Sequence, residues 1–260
     1  ALLVGAGAMW LVNGGGSSLL AAGDQTPSAP EISQTPDKIP SAPAATRTPA
    51  KAPPTPGLKV ITVTSAEDSG PGTLRQALLE VNDGDTILFD PQVFPPSNPK
   101  KIFIKSELPV IWTNRLTINA CNAGVILEGL GPTGDWMAGL KIKSDQNTIL
   151  GLQVVNFGGP GIILQESAEF NKIGGERTVG SGPIGCSNLF SANSDGIVIE
   201  GSDNIITGNL VGTTANGSGQ MGNRASGIVL AGSASRNRIG PDNVIAFNGP
   251  APEGGDIGVR

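Results

Sequence analysis

The sequence contains no histidine and no tyrosine, and its aromatic residues amount to only 4% of 260 positions. Without histidine the chain lacks the commonest general base and the commonest zinc ligand, so any catalysis must use carboxylates, lysine or arginine. The low aromatic content argues against a large aromatic-filled globular core. Glycine, by contrast, accounts for 38 residues, which suits an extended β-protein with many turns.

Positive charge is also sparse. Lysine and arginine total 17 residues against 22 aspartates and glutamates, which gives a net charge of −5 and a pI near 4.8. The basic residues are scattered along the chain, whereas proteins that bind nucleic-acid backbones cluster them. We therefore predict no nucleic-acid partner.

The N-terminal part of the chain divides into two segments of unusual composition. Residues 1–23 are uncharged and largely apolar, which predicts a partial signal peptide or a membrane anchor. Residues 24–57 are rich in proline, alanine and threonine; they predict a disordered linker, because they cannot bury enough apolar surface to offset their ordering entropy. These segments predict an extracellular or cell-surface protein, with membrane contact only through residues 1–23.

The second half of the chain is a repeat. Each unit opens with an asparagine followed two residues later by isoleucine, and these asparagines lie 24, 33 and 33 residues apart: Asn147, Asn171, Asn204 and Asn237. Three short apolar segments per unit, rich in isoleucine and valine, are typical of β-strands. A period of about 24 residues with insertions indicates a solenoid, here a parallel β-helix. The competing solenoid is a leucine-rich repeat, but these units lack its regular leucine core.

The repeated asparagines have a structural explanation. At a turn between strands, an asparagine tolerates unusual backbone angles and bonds to nearby backbone. With coils stacked at roughly 4.8 Å, its amide can also bond to the equivalent amide of the next coil. We expect an internal asparagine ladder that contacts no substrate.

A capping segment precedes the repeats. A strand at Val60–Val63 and a turn at Asp68–Gly72 lead to Thr73, which can cap a helix over Leu74–Val81. Such a helix would cover the open hydrophobic end of the first coil. Further strands are predicted in five short apolar stretches: Thr86–Phe89, Lys101–Ile104, Leu116–Ile118, Val125–Leu127 and Leu140–Ile142.

The cap and one repeat resemble a known family. The stretches concerned are Ser69–Leu78, Asn82–Ile87, Gly208–Thr214, Met221–Asn223 and Gly227–Leu230. They resemble secreted bacterial right-handed parallel β-helix repeat proteins of the pectate-lyase-like superfamily. The resemblance covers residues 58–260 and implies an all-β, right-handed, single-stranded parallel β-helix with three short strands per coil and an N-terminal capping helix. Because Arg260 ends within a third strand, we expect this domain to be truncated there.

Insertions indicate a functional face. Three of them precede the third strand of their units, at residues 129–138, 213–226 and 249–256, and insertions that recur at one corner of a repeat protein usually build a binding surface. In the lyases that the chain resembles, substrate lies along this strand face. The candidate ligand-binding residues on it are aromatic, basic or acidic: Trp136, Lys141, Lys143, Asp195, Glu200, Arg224 and Asp256.

This face lacks a compact group of charged residues such as an enzyme of this superfamily would need. The lyases of this superfamily place several carboxylates around calcium with arginine or lysine as the base, whereas here the charged residues are spread over several coils. The stretch Asn193–Gly196 is similar to one polygalacturonase element, but the other elements are missing, and ordinary turn chemistry explains it. We therefore name no catalytic residue, no metal site and no cofactor, and no motif supports calcium.

The sequence thus predicts a glycan-binding or adhesive scaffold at the cell surface or outside the cell. A polysaccharide lyase or glycosidase acting on acidic polysaccharide along the same face is one alternative, and a purely structural spacer is another. The oligomeric state is left open. An outward column of three aliphatic residues, Ile163, Val198 and Val229, is expected to be covered by the insertions rather than by a second subunit.

The two cysteines, Cys121 and Cys186, are 65 residues apart. That separation is nearly three coils, or roughly 14 Å along the solenoid axis at the strand spacing. A disulfide would require the segment before Cys186 to fold back. We therefore expect the two thiols to remain unpaired.

Overall fold

In a computed structural model, the described residues are 57–131, 135–249 and 258–260. By its contacts the chain divides into two units, and these residues belong to the second, Pro54–Arg260. The predicted export segment and linker lie outside the described residues, except for Gly57. Within the described part of the chain, no helix is long and apolar enough to cross a membrane.

Strands dominate the described residues, and one helix, α1, spans Leu74–Glu80. The strands of the first coils are β1 (Val60–Val63), β2 (Thr86–Phe89), β3 (Lys100–Phe103), β4 (Thr117–Asn119), β5 (Val125–Glu128) and β6 (Leu140–Ile142). The middle coils contain β7 (Thr148–Leu150), β8 (Leu152–Val155), β9 (Ile162–Leu164), β10 (Lys172–Ile173), β11 (Leu189–Ser191) and β12 (Ile197–Ile199). The last are β13 (Ile205–Ile206), β14 (Leu210–Val211), β15 (Ile228–Leu230), β16 (Arg238–Ile239) and β17 (Val244–Ile245).

The strands form three parallel sheets. The first sheet has the order β1-β2-β4-β7-β10-β13-β16, the second β17-β14-β11-β8-β5-β3, and the third β15-β12-β9-β6. From β4 onward, successive strands of the chain belong to the first, second and third sheets in turn, so each complete coil contributes one strand to each sheet. Single bridges from Ile111 to Ile142 and from Ile228 to Val259 extend the third sheet at both ends. The predicted fold class, a parallel β-helix with three short strands per coil, is confirmed.

The core fills the space inside the three sheets. Alternate strand residues point inward, so β6 shows a buried, half-buried, buried pattern across Leu140, Lys141 and Ile142. Equivalent positions stack from coil to coil, as in the column Ile118, Ile149, Ile173 and Ile206, each with no exposed surface. Because each inward residue rests on its counterpart in the next coil, one continuous core runs along the axis.

The capping helix forms as predicted and ends one residue earlier, at Glu80. Thr73 accepts a hydrogen bond from the Gln76 amide through its side chain, which satisfies one of the free N–H groups of the first turn. Leu74, Ala77 and Leu78 are buried against the first coil. The helix thus closes the apolar end that the first coil would otherwise expose.

Hydrogen bonds join the four repeated asparagines in series. The Asn147 side-chain amide donates to Asn171 Oδ1 over 2.9 Å, Asn171 donates to Asn204 over 3.0 Å, and Asn204 donates to Asn237 over 3.1 Å. Each acceptor oxygen also accepts the backbone N–H of the preceding asparagine. The bonds therefore satisfy buried polar groups between the third and first sheets and tie adjacent coils in register.

The other two corners have asparagine ladders of the same kind. One consists of Asn188, Asn209 and Asn243, between the first and second sheets. The other consists of Asn193, Asn223 and Asn248, between the second and third sheets. The Asn223 side-chain oxygen accepts a hydrogen bond from the backbone N–H of Asn193, and that of Asn248 accepts one from the side-chain amide of Asn223. Each corner of the later coils is thus fixed by hydrogen bonds between asparagines of adjacent coils.

The expectation for the cysteines was wrong, because Cys121 and Cys186 form a disulfide, with Cα atoms 4.4 Å apart. Residues 174–188 fold back across the intervening coil, that of β7 and β8, and reach the coil of Cys121, whose carbonyl accepts the Gly182 N–H over 2.7 Å. That coil turns from β7 to β8 through Gly151 alone, at a φ of 75°. An added Cβ at Gly151 would lie 2.4 Å from the Ala120 carbonyl carbon. Gly151 therefore allows this corner to approach the backbone of the preceding coil closely.

The outward aliphatic column of the third sheet is largely shielded within the single chain. Ile163 and Val229 are only 6% and 8% exposed, and Val198 is half-buried. A separate apolar cluster lies outside the second sheet, where Val155, Leu189 and Leu210 pack with Ile184 from the loop that carries Cys186. That loop and the disulfide therefore hold a second apolar layer against the solenoid.

Candidate functional site

The third sheet presents two outward lysines near its N-terminal end. Lys141 lies between the buried residues Leu140 and Ile142 on β6, so its side chain faces outward. Lys143 follows two positions later and is exposed. The bridge between Ile111 and Ile142 places Trp112 beside Lys143 in the neighbouring coil. The strand register thus brings an aromatic ring next to a cation.

Each lysine lies over a tryptophan ring. Lys143 Nζ is 5.0 Å from the centroid of the Trp112 ring, and Lys141 Nζ is 5.1 Å from that of Trp136. Both distances are within the range of a cation–π interaction. The tryptophans are 63% and 61% exposed, so much of each ring is open to solvent. We call these four residues the tryptophan–lysine face.

A third pair of the same type lies at the start of the second sheet. Lys101 Nζ is 5.7 Å from the ring of Phe103, which is 54% exposed. Lys101 also forms an ion pair with Glu128 over 2.6 Å. Lysine thus accompanies each of three exposed aromatic rings in the N-terminal coils, although the chain as a whole is acidic.

An open cleft of about 340 Å³ adjoins Trp136. Described residues that line it are Lys105, Ser106, Glu107, Leu130, Asp135, Trp136 and Met137. Glu107 reaches Lys141, with 2.5 Å between Oε1 and Nζ. The cleft therefore combines an exposed aromatic surface with charges of both signs, which suits a polar ligand that has apolar ring faces.

The structure brings together three of the residues predicted from the sequence, Trp136, Lys141 and Lys143, at one end of the third sheet. Two others have structural contacts at a later corner. Asp195 accepts the Ser226 amide over 3.0 Å and the Ser194 hydroxyl over 3.1 Å, while Arg224 donates to the Gly158 carbonyl over 3.1 Å. These bonds place Asp195 and Arg224 in the corner between the second and third sheets.

The remaining two candidates add little to this face. Glu200 follows β12 and is half-buried, on a different coil from both lysines. Asp256 lies outside the described residues. Asn193, part of the element similar to polygalacturonases, belongs to a ladder, where its amide donates to the Val154 carbonyl. In the described part of the chain, moreover, no three histidine, cysteine, aspartate or glutamate residues are grouped so as to hold a metal ion.

Trp112 is the residue of this face that the sequence analysis missed. It precedes the first clear asparagine frame, so its coil was not aligned with the repeats. Leu116 stands at the ladder position of that coil and donates its backbone N–H to Asn147 Oδ1, so no repeat asparagine marks the coil in the sequence. The offset appears in the structure, where the Asn114 side chain accepts the amide of Asp145, 31 residues later, and the same offset pairs Trp112 with Lys143.

Comparisons with known proteins identify no family for this chain. No family model matches it, and no curated protein matches it. Among solved structures it is similar to an alginate lyase from Paenibacillus sp. str. FPU-7, with a TM-score of 0.46 and 19% sequence identity. The match covers 73% of this chain and 61% of that one. Similarity at this level assigns no activity.

Proposed function

We propose that this protein is an exported, secreted or cell-surface β-helix scaffold that binds anionic polysaccharide at the tryptophan–lysine face. The main support for this proposal is the pair of exposed tryptophan rings, each with a lysine ammonium about 5 Å from its centroid. The proposal includes membership of the secreted bacterial β-helix repeat proteins, which the cap sequence resembles. No metal or cofactor enters the binding step.

The chemistry of the face supports a sugar ligand with negative charge. A sugar ring has an apolar C–H surface that can stack on an exposed indole, while its hydroxyl groups stay in contact with water. An adjacent ammonium can pair with a carboxylate or sulfate on the same sugar. Lys141 and Lys143 are two residues apart on an extended segment, so their Cα atoms are separated by roughly 6.6 Å.

The disulfide supports the export part of the proposal. Structural disulfides persist in oxidising compartments and are rare where thiols are kept reduced. Cys121 and Cys186 are the only cysteines of the chain, and they pair with each other. Together with the predicted signal segment and linker, the disulfide favours a domain displayed outside the cytoplasm.

The test is binding of the full chain to polygalacturonate, with dextran as the neutral comparison, at low and high salt. Trp112→Ala and Trp136→Ala should each weaken binding at least fivefold, because a stacked aromatic contact is worth about 1–3 kcal/mol. Lys143→Gln should weaken binding at low salt and matter less at high salt, where exposed charges are screened. Phe170→Ala is the matched control, because Phe170 is also a mostly exposed aromatic residue, at 56%, but precedes Asn171 in the next coil and is not one of the four residues of the face.

Equal binding of polygalacturonate by wild type, Trp112→Ala and Trp136→Ala would refute this assignment of the site. Equal retention by dextran would refute the requirement for an anion. The same samples should be followed by ultraviolet absorbance and for reducing ends, with and without calcium. New unsaturated products would instead show a lyase, new reducing ends alone would show a hydrolase, and no binding in any arm would favour a spacer.

A further inference from the structure

The two lysines of the tryptophan–lysine face differ in one respect. Lys141 already has a carboxylate partner, since Glu107 Oε1 lies 2.5 Å from its Nζ. The Lys141 side chain is 16% exposed, and that of Glu107 is 43% exposed. Among the described residues, no carboxylate lies within ion-pair distance of Lys143. One ammonium is therefore neutralised by the chain itself, and the other is available to a ligand.

The backbone around Glu107 is fastened to the capping helix. Arg75 of α1 donates to the carbonyl groups of Ser106 and Glu107, each over 2.7 Å. Arg75 is itself fixed by Asp68, with 2.7 Å between Nη2 and Oδ1, and both side chains are mostly buried. The planar guanidinium holds several acceptors in a fixed geometry, which a lysine could not reproduce.

This anchoring changes the energetics of the Glu107–Lys141 pair. A pair of freely moving surface side chains gains little, because ordering two flexible chains offsets most of the attraction. Here the backbone of Glu107 is already fixed by Arg75, and Lys141 is already ordered against Trp136. The carboxylate therefore stays beside Lys141, in the position that a negative group of a ligand would otherwise take.

We infer that Glu107 is an internal counter-ion that competes with ligand anions at Lys141 and thereby sets the specificity of the face. This inference deepens the proposed function and, for the glycan itself, rests on it. Lys143 then pairs with the ligand's charged group, while the Lys141 side of the face favours a sugar that brings no second negative charge. Arg75 is the positioning residue that keeps Glu107 in place.

The first test measures polygalacturonate binding by the full chain at low salt. Glu107→Gln should bind about fivefold more tightly, the upper end of the range for an exposed ion pair, because both partners are already ordered, and the gain should shrink at high salt. Glu176→Gln, which removes the same charge from an exposed residue of the loop that carries Cys186, should leave affinity unchanged. Arg75→Lys should give a smaller gain, and combining it with Glu107→Gln should add nothing further.

The second test needs no glycan. Replacing Trp10 and Trp112 by phenylalanine leaves Trp136 as the single tryptophan of the chain. Its fluorescence can be quenched by iodide, an anion, and by acrylamide, which is neutral. Glu107→Gln should increase quenching by iodide and leave quenching by acrylamide unchanged, because Lys141 then attracts the anion to Trp136. Glu176→Gln should alter neither quencher.

The two tests separate the inference from the proposed function. Unchanged iodide quenching in Glu107→Gln would overturn the counter-ion role, even if the wild-type protein binds polygalacturonate. Increased iodide quenching in a protein that binds no polygalacturonate would support the role of Glu107 and refute the proposed ligand class. Increased quenching with glycan affinity that is unchanged or weaker in Glu107→Gln would overturn the specificity assigned to Glu107.

Discussion

Replacing Asn171 by alanine tests whether the corner ladders hold the coils together. Asn171 has no exposed surface. Its Oδ1 accepts from the backbone and side-chain amides of Asn147, each over 2.9 Å. Its side-chain amide donates to the Ser144 carbonyl and to Asn204 Oδ1, each over 3.0 Å. Asn171→Ala removes all four bonds and leaves buried partners behind.

The expected loss follows from those four bonds. At about 1 kcal/mol for each net hydrogen bond, the free energy of unfolding should fall by roughly 4 kcal/mol. Some partners keep another hydrogen bond. The Asn147 side-chain amide also donates to the Ser144 hydroxyl, and Asn204 Oδ1 also accepts the Asn171 backbone N–H. The buried Asn147 N–H loses its acceptor, which adds to the penalty. We therefore expect a loss of roughly 3–5 kcal/mol.

The assay is denaturation of the full chain by guanidinium chloride, followed by far-ultraviolet circular dichroism. Asn171→Ala should lower the midpoint, and an unchanged slope would allow the shift to be converted into free energy. Asn216→Ala is the matched control, because Asn216 is exposed and, within the described residues, its side chain bonds to Thr214 and Ser218. The control should change stability by less than about 1 kcal/mol. If Asn171→Ala were as stable as that control, the ladder would not be a main source of stability.

Two further predictions concern the disulfide and Asp85, which precedes β2. Replacing Cys121 and Cys186 by serine should lower the free energy of unfolding by about 4 kcal/mol, the loop-closure value for their 65-residue separation. The change should also increase binding of an apolar dye, because Ile184 would separate from its cluster. Unchanged dye binding would show that the loop stays docked without the disulfide. Burial raises the pKa of Asp85, but hydrogen bonds from the Asn82 and Lys59 backbone amides outweigh it and hold that pKa below its usual range. The stabilising effect of the ionised form is therefore complete above the unfolded pKa of about 3.9 and is lost as pH falls through the lower folded value. Asp85→Asn should be less stable than wild type by about 1–3 kcal/mol at pH 7, with the gap closing below about pH 4, and a pH-independent gap in denaturation midpoints would contradict this.

The fold could be predicted from the sequence because the corner between the third and first sheets repeats an asparagine that isoleucine follows two residues later. Asn147, Asn171 and Asn204 each begin a unit, so intervals of 24 and 33 residues identify the coils directly. The other two corners were harder to detect, since each ladder has three asparagines instead of four and no constant isoleucine follows them two residues later. The ladder that begins at Asn188 has intervals of 21 and 34 residues, and the one that begins at Asn193 has intervals of 30 and 25.

The candidate site was predictable only in part. The alternation along β6 indicates that Lys141 and Lys143 face outward, and the insertion before it contains Trp136. Trp112 belongs to a coil with no repeat asparagine, so its neighbour could not be identified from periodicity. The disulfide was missed for a related reason: distance along the axis predicts how far apart two coils lie, but not that residues 174–188 cross back over a coil whose corner is a single glycine.

The ladders also bear on how the flat sheet face could serve as the proposed binding site without a deep pocket. In the coils that the asparagines join, each backbone is fixed against its neighbour by side-chain amides as well as by the strand bonds. Lys143 precedes Asn147 by four residues. The Ser144 hydroxyl between them lies within hydrogen-bond distance of the carbonyls of Thr113 (2.8 Å) and Ile111 (3.0 Å), on either side of Trp112, and shares its proton between them. The spacing of Trp112 and Lys143 is therefore set by the corner that carries the first ladder. A ligand bound there would contact side chains whose backbone is already fixed, so binding should cost less conformational entropy than it would on a mobile loop.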